Sequence, residues 1–432
     1  MANRNIRSYL GSARVARWPG MAGAGRVRRR AAAWRTLFPF PSGRLADGFG
    51  DTRDAAPSAR APRTQARVGR ADGRVVHRGM PPLPSGPLYP LFKRWIPERL
   101  FYLVPALMWL LLSLRHRSVT LPSAANPRME AGGLWGESKT HDLALFGPLA
   151  RLWLAPFVIV RGGDGPAAAA AAMREAGLAF PVMAKPDRGY QGWGVRRLDG
   201  PEELAHYLSR VGPETGVMLQ ELVDLGGEAG IFYVREPGEP RGRIVSMALT
   251  YAPHVVGDGR RTLAELVAAD RVLRKCAEIY RARLQGRWHH VVPRGEVVVL
   301  TTARSARVGA IYRDATDLVT EALTRRIDAI ARDVEGFHFG RFDIRFGSLE
   351  GLLRGEDLVI LELNGAGGEM LHLWDGRTGL LAAYRDLWRQ YRTAFAIGAG
   401  NVRRGHRPAG LAAMIRLQRQ QERLRRLYPQ SN

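Results

Sequence analysis

The sequence predicts an α+β fold of two lobes that follows a basic N-terminal tail. Three observations predict it. Within residues 338–370, residues 341–346 and 359–364 alternate side chains between two faces as strands do, residues 156–334 alternate strand and helix patterns, and the first fifth of the chain is rich in Arg, Ala, Gly and Pro. A chain of 432 residues is long enough for one large or two ordinary hydrophobic cores. Two packed lobes therefore fit the length.

Residues 1–85 are predicted to be a disordered, Arg-rich extension. Residues 1–80 contain 17 Arg, no Lys and 4 Asp, without a sustained apolar period. The segment has no continuous apolar run of the kind found in a signal peptide. The change of composition near Met80 leaves two alternatives open. Either the extension is translated, or Met80 is the true start, and the intact mass of the native protein would distinguish them.

The charge and the cysteine content restrict the class of partner and the location. The net charge of +25 comes from 65 Lys+Arg, and only four of these are Lys. Because this Arg bias is typical of a GC-rich coding background, basicity alone is weak evidence for nucleic acid, which we do not predict as a partner. The single Cys276 excludes an intramolecular disulfide and favours a reducing, cytoplasmic location. We expect it to be a core thiol.

Residues 86–135 are predicted to be a reduced N-terminal lobe with an apolar segment at 100–114, LFYLVPALMWLLLSL, flanked by basic residues. The segment contains Pro105 and is shorter than the roughly 20 residues of a spanning helix. Two alternatives remain open. The segment is an interfacial or re-entrant anchor on the anionic inner face of a membrane, or it is a buried helix of this lobe.

The elements of the main domain, predicted at 136–400, follow from periodicity. Strands are predicted at 156–160, 180–185, 217–222, 231–235 and 243–251. Helices are predicted at 167–178, 202–211, 263–283, 317–334 and 380–397. A basic amphipathic helix with a ragged apolar stripe is predicted at 409–428, within a C-terminal segment at 401–432 that packs on the domain or lies on a membrane.

The two strands of residues 338–370 are predicted to pair as a hairpin. On the first strand Arg341, Asp343 and Arg345 share the polar face. On the second strand the sequence predicts one face with Val359, Leu361 and Leu363 and the other with Ile360, Glu362 and Asn364. Asp343, Glu362 and Asn364 would then offer three oxygen ligands of the type that Mg²⁺ prefers. The alternative is a hairpin whose polar face points to water.

A glycine-rich loop follows the strand that ends at Lys185. Its glycines Gly189, Gly192 and Gly194 allow backbone N–H groups to approach phosphate oxygens, and the ammonium group of Lys185 adds a compact charge. Lysine stands here although arginine is the usual cation of this chain, and Lys139 is another of the four lysines. A glycine-rich turn after a strand is also common without any ligand.

The order of these motifs over residues 136–372 resembles the ATP-grasp superfamily of carboxylate–amine ligases, such as D-alanine:D-alanine ligase. The matching motifs are Lys139, the P-x-x-x-K-P segment with Lys185, the glycine-rich loop, the strand VMLQELV with Glu221, then Glu228, the R-x-D of Arg341 and Asp343, and the E-x-N of Glu362 and Asn364. Residues 255–266 are similar to the V-G-D-G-x-x-T-x-x-E-L stretch of cyanophycin-synthetase-like members. A turn followed by a capped helix is the structural alternative for that stretch.

The resemblance implies an ATP-grasp fold, in which two α+β lobes clasp ATP, and a ligase that joins a small-molecule carboxylate to an amine. ATP and Mg²⁺, with Mn²⁺ as an alternative ion, are the implied cofactors. The implied nucleotide-binding residues are Lys139, Lys185, Gly189, Gly192, Gly194, Gln220, Glu221, Leu222, Val223 and Glu228. The implied metal ligands are Asp343, Glu362 and Asn364, and the implied catalytic residues are Arg341 and Lys185.

Two rival functions remain open. One is an ATP-grasp phosphotransferase that acts on a hydroxyl or phosphate acceptor, and the other is a basic lipid- or nucleic-acid-binding module with an inert nucleotide lobe. The sequence before Lys139 differs from that of D-alanine-type ligases, so the substrates are not implied. His254, His289, His290 and His372 are candidates for bases on the acceptor side.

Overall fold

The computed structural model describes residues 68–71, 73–189, 192–425 and 427–429. The predicted disorder of residues 1–67 lies outside these ranges. The strands in chain order are β1 Val68–Ala71, β2 Arg74–His77, β3 Phe157–Arg161, β4 Val182–Pro186, β5 Arg196–Leu198, β6 Gly216–Glu221, β7 Gly227–Val234, β8 Arg243–Tyr251, β9 His254–Val256, β10 Val297–Val299, β11 Ile311–Asp314, β12 Phe339–Phe346 and β13 Leu358–Asn364.

The helices are joined to these strands by short connections and 3₁₀ turns. In chain order they are α1 Leu91–Trp95, α2 Glu98–Phe101, α3 Leu103–His116, α4 Lys139–Ala144, α5 Pro148–Arg151, α6 Gly165–Glu175, α7 Pro201–Ser209, α8 Leu263–Ala269, α9 Ala277–Arg283, α10 Glu321–Arg332, α11 Leu349–Leu353, α12 Leu380–Arg403 and α13 Leu411–Arg425.

Two antiparallel sheets form the framework and confirm the predicted α+β class. A four-stranded sheet has the order β3-β6-β4-β5, and a five-stranded sheet has the order β11-β8-β7-β12-β13. Helices α6 and α7 cover the smaller sheet, with Met173 and Leu204 in its core. Helix α10 places Ile327 and Ile330 in the core that includes the larger sheet. On the other face of the larger sheet, Phe232 and Phe339 pack in a second core with Leu387 of α12.

The predicted strands and helices between 156 and 251 are present, with boundaries shifted by a few residues. The predicted helix at 263–283 is wrong, because α8 ends at Ala269 and α9 begins at Ala277. The Asp270 carboxylate accepts hydrogen bonds from the N–H groups of Val272 and Leu273, at 2.7 and 3.0 Å. Such a turn satisfies backbone donors outside the helical ladder and ends the helix.

The predicted disorder of residues 1–85 is wrong for residues 68–71 and 73–85. Strands β1 and β2 pair as a hairpin, Val68 opposite His77 and Arg70 opposite Val75. Val75 and His77 are buried, and the N–H of Leu83 donates to the Val75 carbonyl. Strands of four residues are too short to show a clear alternation in an Arg- and Gly-rich stretch. The prediction of disorder therefore followed the composition alone.

The apolar segment predicted at 100–114 forms α3, with α2 just before it. One side of α3 packs on α12, where the Trp109 ring contacts the rings of Tyr391 and Phe395 at centroid distances of 5.2 and 5.1 Å. The opposite side is exposed, so the buried-helix alternative holds for one side only. No helix in the described part of the chain has the length and apolar character to cross a membrane.

Two other predictions concern single buried side chains. Cys276 is buried, its thiol donates to the Arg307 carbonyl, and burial raises the pKa of the thiol, as expected for a core residue. In the C-terminal helix α13, Met414 is buried among the residues of α12 and the N-terminal lobe, while Leu411 and Ile415 remain partly exposed. The C-terminal helix therefore packs on its own domain along at least one side.

Asn126 ties the N-terminal lobe to the first residues of β12. Its side chain is fully buried, and its carbonyl oxygen accepts from the N–H groups of His338 and Phe339 at 2.9 and 3.0 Å. Its amide nitrogen donates to the carbonyls of Gly132 and Phe339 at 3.1 and 2.8 Å. All four hydrogen bonds of the amide are thus made, and they fix the strand that carries Arg341.

We expect Asn126→Ala to lower the free energy of unfolding by about 3 kcal/mol, because the substitution leaves backbone donors and acceptors buried without partners. Urea unfolding followed by circular dichroism would measure the loss. Asn401→Ala is a matched control at another buried asparagine. The Asn401 amide donates to the carbonyls of Ala124 and Ala125, so its replacement leaves buried acceptors without a partner but no buried donors. An Asn126→Ala protein as stable as the wild type would contradict this account.

Candidate functional site

A cleft of about 1300 Å³ lies between the two sheets. Lys185 and Gln220 reach it from the four-stranded sheet, and Arg341 and Glu362 reach it from the five-stranded sheet. The loop after β6, which contains Leu222 and Val223, lines the same cleft. Residues that are far apart in the sequence therefore meet where the resemblance implies a nucleotide.

Lys139 and Glu362 form an ion pair across the cleft. Lys139 is the first residue of α4, which is capped by the Ser138 hydroxyl. Its ammonium nitrogen lies 2.9 Å from Glu362 Oε1 and donates to the Gly189 carbonyl at 2.6 Å. Burial opposes the charge of Lys139, but the carboxylates around it, Glu362 foremost, raise the pKa of Lys139 above its ordinary value. Burial opposes ionisation of Glu362 too, but Lys139 and Lys185 lower its pKa, so both groups are charged.

Lys185 lies at the end of β4 and is almost completely buried. Its ammonium group donates to Gln220 Oε1 at 2.6 Å, and Gln220 Nε2 donates to the Leu361 carbonyl at 3.2 Å. These two bonds connect the smaller sheet to β13 of the larger sheet. Burial lowers the pKa of Lys185 below its ordinary value. Lys185 brings a second lysine to the cleft, and its hydrogen-bond partner Gln220 is a neutral amide.

Arg341 and Asp343 form a bidentate pair on the polar face of β12. The guanidinium Nε and Nη2 donate to the two oxygens of Asp343 at 2.6 and 3.0 Å, and Nη1 donates to the Glu369 carbonyl at 2.7 Å. Asn364 Nδ2 donates to Asp343 Oδ2 at 2.9 Å. Because fork geometry fixes a guanidinium in two directions, Arg341 is held in one orientation at the edge of the cleft.

The β12–β13 hairpin confirms the predicted convergence of Asp343, Glu362 and Asn364 and corrects one detail. Asp343 lies opposite Glu362 and Arg341 lies opposite Asn364, but the register shifts after Asp343, so Ile344 lies opposite Ile360. Leu361 is therefore an extra residue, a β-bulge. Ile360, which we predicted to share the face of Glu362, is instead fully buried in the core. Strict alternation cannot anticipate a bulge, and this is the reason for the error.

Glu228 lies in the cleft, as predicted, but is held by two arginines. Its carboxylate lies 2.9 Å from Arg345 Nε, directly across the β7–β12 ladder, and 3.6 Å from Arg304 Nη1. The sequence did not identify Arg304, because it lies in an irregular loop where no periodicity distinguishes one arginine from another. Burial, followed by the neighbouring charge of Arg345, lowers the pKa of Arg304 to about 10.

The glycine-rich loop is only partly within the cleft. Gly189 and Gly192 line it, whereas Gly194 is not among its lining residues and its carbonyl accepts from the Tyr207 hydroxyl at 2.8 Å. Gly194 has φ of 70°, and a Cβ atom there would lie 2.6 Å from Pro186 Cγ. Its glycine is therefore required by packing and by the turn. Residues 190 and 191 lie outside the described part of the chain.

Aromatic and acidic residues that the sequence did not identify close one end of the cleft. The Tyr102 hydroxyl donates to Glu369 Oε1 at 2.7 Å, and Trp374 Nε1 donates to Glu369 Oε2 at 3.2 Å. All three residues line the cleft. Glu369 directly follows the glycine run after Asn364, which is the one local signal that could have indicated it. Tyr102 carries no such signal, since its partner is 267 residues away.

Several predicted acceptor-side residues are elsewhere. His254 is buried beside the Ala252 carbonyl, and His372 Nδ1 lies 2.7 Å from the Ser246 hydroxyl. Within the described ranges, neither these two nor His289 and His290 line the cleft. The stretch at 255–266 forms a turn and the capping box of α8, in which the Thr262 hydroxyl and the Glu265 carboxylate cap each other's N–H groups. The structural alternative accounts for this stretch.

The side chains at the hairpin have the chemistry of a magnesium site. Two carboxylates, Asp343 and Glu362, and the amide of Asn364 provide hard oxygen donors. Asp343 forms an ion pair with Arg341, and Glu362 forms one with Lys139. Among the described residues, no three His, Cys, Asp or Glu side chains are grouped to hold a metal by themselves. The donor set therefore consists of two acids and one amide, to which phosphate oxygens of a ligand would add.

Comparison with known proteins gives partial structural matches. No protein-family model and no curated protein sequence matches this chain. A bifunctional glutathione synthetase from Pasteurella multocida is 17% identical over 58% of this chain and 36% of its own, with a TM-score of 0.33. A D-Ala:D-Ser ligase from Enterococcus faecalis is 15% identical over 60% of this chain and 62% of its own, with a TM-score of 0.31.

A third match is the carboxyaminoimidazole ribonucleotide synthase from Aspergillus clavatus, solved with ATP, which is 12% identical over 54% of this chain and 45% of its own, with a TM-score of 0.31. This chain thus spans from 36% to 62% of the length of these three proteins. One is described as a synthetase, one as a ligase and one as a synthase. At TM-scores of 0.31 to 0.33 they carry no further argument about this chain.

Proposed function

We propose that this protein is an ATP-dependent ligase of the ATP-grasp type that joins a carboxylate to an amine. One observation carries the proposal. Two lysines and one arginine converge with Asp343, Glu362 and Asn364 in a single cleft between two antiparallel sheets. Cations that bind phosphate and oxygen donors that bind a divalent ion are the two requirements of phosphoryl transfer from ATP.

The nucleotide would lie with its phosphates at the lysines. Lys139 and Lys185 bind phosphate oxygens, and the backbone at Gly189 and Gly192 supports them. The segment from Gln220 to Val223 lines the cleft where β6 ends, a position suited to backbone hydrogen bonds with adenine. Glu228 is the candidate for the ribose hydroxyls, and its two arginine partners hold its carboxylate in place for that task.

Asp343, Glu362 and Asn364 are the residues that would hold Mg²⁺ or Mn²⁺. The ion supplies positive charge that neutralises the phosphate oxygens of bound ATP. On binding such an ion, Asp343 and Glu362 would share their negative charge between it and their present partners. Arg341 and Lys139 would then remain beside the phosphates and donate to them as well.

The proposed reaction has two steps. A substrate carboxylate oxygen attacks the γ-phosphorus of ATP, the bond to the β-phosphate oxygen breaks, and ADP leaves. The amine then attacks the acylphosphate carbonyl, loses a proton and expels phosphate, which leaves an amide. Arg341, fixed by Asp343 and the Glu369 carbonyl, is positioned to donate to the oxygens on which negative charge develops.

A product assay tests this proposal against its rivals. The protein is incubated with ATP, Mg²⁺ and pairs of carboxylates and amines, and ADP, free phosphate and amide are measured, with Asp343→Ala as the control for background hydrolysis. We expect one pair to release all three products in equal amounts. ADP with a phosphorylated acceptor and no free phosphate would identify a phosphotransferase. Failure to bind Mg–ATP at all would support the inert binding module.

A further inference from the structure

A large apolar surface lies outside the cleft, on α3 and at Leu100 of α2. We define the apolar face as the exposed side chains of Leu100, Leu103, Val104, Leu107, Leu110, Leu111 and Leu114. Their exposed fractions range from 38% to 68%. The spacing of the six residues on α3 places them on one stripe of that helix, opposite its buried residues Pro105 and Leu112. Soluble monomers rarely expose a contiguous apolar surface of this kind without a partner.

Positive charge borders the apolar face at both ends. Arg99 precedes it and Arg115 and Arg117 follow it, and all three side chains are exposed. Over residues 91–119 the chain has five Lys and Arg and a single acid, Glu98. An apolar stripe with cationic ends is complementary to a surface that is apolar inside and anionic at its border.

We propose that the apolar face docks on an anionic membrane surface, with α3 lying in the plane of the interface. The charge pattern decides between this partner and two others. In a symmetric pair of chains the cationic ends of one face would meet the cationic ends of the other, which is unfavourable. Residues 1–67 contain 14 Arg and 3 Asp, so covering the face with this segment would also bring like charges together. Anionic lipid headgroups have the opposite charge.

The apolar face is connected to the cleft by one side chain. Tyr102 lies between Leu100 and Leu103 in the sequence, and its hydroxyl donates to Glu369 at 2.7 Å. The Glu369 carbonyl in turn accepts from Arg341 at 2.7 Å. Docking through the apolar face therefore holds the Glu369 end of the cleft close to the lipid surface. The inference itself rests on the face and its charges, and it does not depend on the reaction in the cleft.

Vesicle sedimentation with the full chain tests the docking. The probes are vesicles of phosphatidylcholine and phosphatidylglycerol in equal parts and vesicles of phosphatidylcholine alone. We expect binding to the anionic vesicles that weakens as salt is added, and little binding to the neutral ones. The triple variant Leu103→Gln, Leu107→Gln and Leu110→Gln should bind at least about tenfold more weakly, because the transfer of apolar surface is lost.

Two further variants separate the face from general effects. The matched control is Val291→Gln with Leu318→Gln, which replaces two side chains of similar exposure, 50% and 44%, outside α3 and α13, and should bind as the wild type does. Arg99→Gln with Arg115→Gln should reduce the preference for anionic over neutral vesicles. Thermal melting of every variant checks the fold, which should be unchanged because the replaced leucines are more than half exposed.

Two outcomes would overturn the proposal. One is vesicle binding by the triple leucine variant that equals the binding of the wild type. The other is a full chain that does not bind anionic vesicles, as expected if a second copy or residues 1–67 cover the face. Analytical ultracentrifugation distinguishes these two causes, since only a face between copies would make the leucine variant change from dimer to monomer. ADP release in the product assay is unaffected by either outcome, so the proposed reaction is tested separately.

Discussion

Glu362→Gln should lower kcat by about 100- to 1000-fold, the size of effect expected when a charged group at the transferring phosphate is lost. Glutamine has the shape of glutamate without its charge. The substitution removes the partner of Lys139, whose ammonium group lies 2.9 Å from the carboxylate, and one of the two acids of the proposed metal site. ADP release with the substrate pair found by the product assay measures kcat, and calorimetry measures the affinity for Mg–ATP.

The matched control for this prediction is Glu350→Gln. Glu350 makes an ion pair with Arg354 one helical turn away, and its side chain is 86% exposed, so its charge contributes little to either stability or catalysis. Activity of the control should equal that of the wild type. If Glu362→Gln were also fully active, with its affinity for Mg–ATP unchanged, neither the proposed metal site nor the ion pair of Lys139 and Glu362 would take part in the reaction.

Arg341→Lys is the second large effect that we expect, a loss of about 100-fold or more in kcat with little change in the affinity for ATP. Lysine keeps the positive charge but cannot make the two parallel hydrogen bonds to Asp343 or the third to the Glu369 carbonyl. The charge would no longer be fixed where negative charge develops. Single-turnover ADP release gives the chemical step, and calorimetry gives the ATP affinity separately.

Arg354→Lys is the corresponding control, because Arg354 is an exposed arginine that also pairs with two carboxylates, Glu350 and Glu356. It should have wild-type kinetics. A purely structural role of Arg341 would appear differently, as lower thermal stability and lower ATP affinity together. If Arg341→Lys lowered both the thermal stability and the ATP affinity, and these losses accounted for the loss of activity, a direct role of Arg341 in phosphoryl transfer would be excluded.

The cleft residues whose positions the sequence anticipated lie on regular elements. The alternation of β12 placed Arg341 and Asp343 on one face, and the observed burial of Phe342 and Ile344 confirms it. Lys185 was predicted from the end of an apolar strand, where the chain must leave the sheet. In both cases local periodicity carries the three-dimensional information, because the core determines which side of a strand is buried.

The residues that the sequence missed depend on contacts between distant segments. Arg304 and Tyr102 enter the cleft from a loop and from the N-terminal lobe, and their partners Glu228 and Glu369 are far away in the sequence. No local pattern encodes such a contact. The break in the predicted helix at 263–283 has a different cause, since the Asp270 side chain competes for backbone N–H groups that periodicity assigns to the helix.

Because of the bulge at Leu361, one hydrogen bond between the two walls of the cleft can be removed without changing the charged side chains in the cleft. Leu361 is the one residue of β13 that has no opposite residue on β12, and its carbonyl accepts the hydrogen bond from Gln220 that ties the two sheets together. Deleting Leu361 would restore a regular ladder with Ile360, Glu362 and Asn364 on their present faces. The shortened strand would keep all the ionisable groups of the site and lose the Gln220 hydrogen bond, so a comparison with the full chain would measure what this one bond contributes to holding the two lobes together.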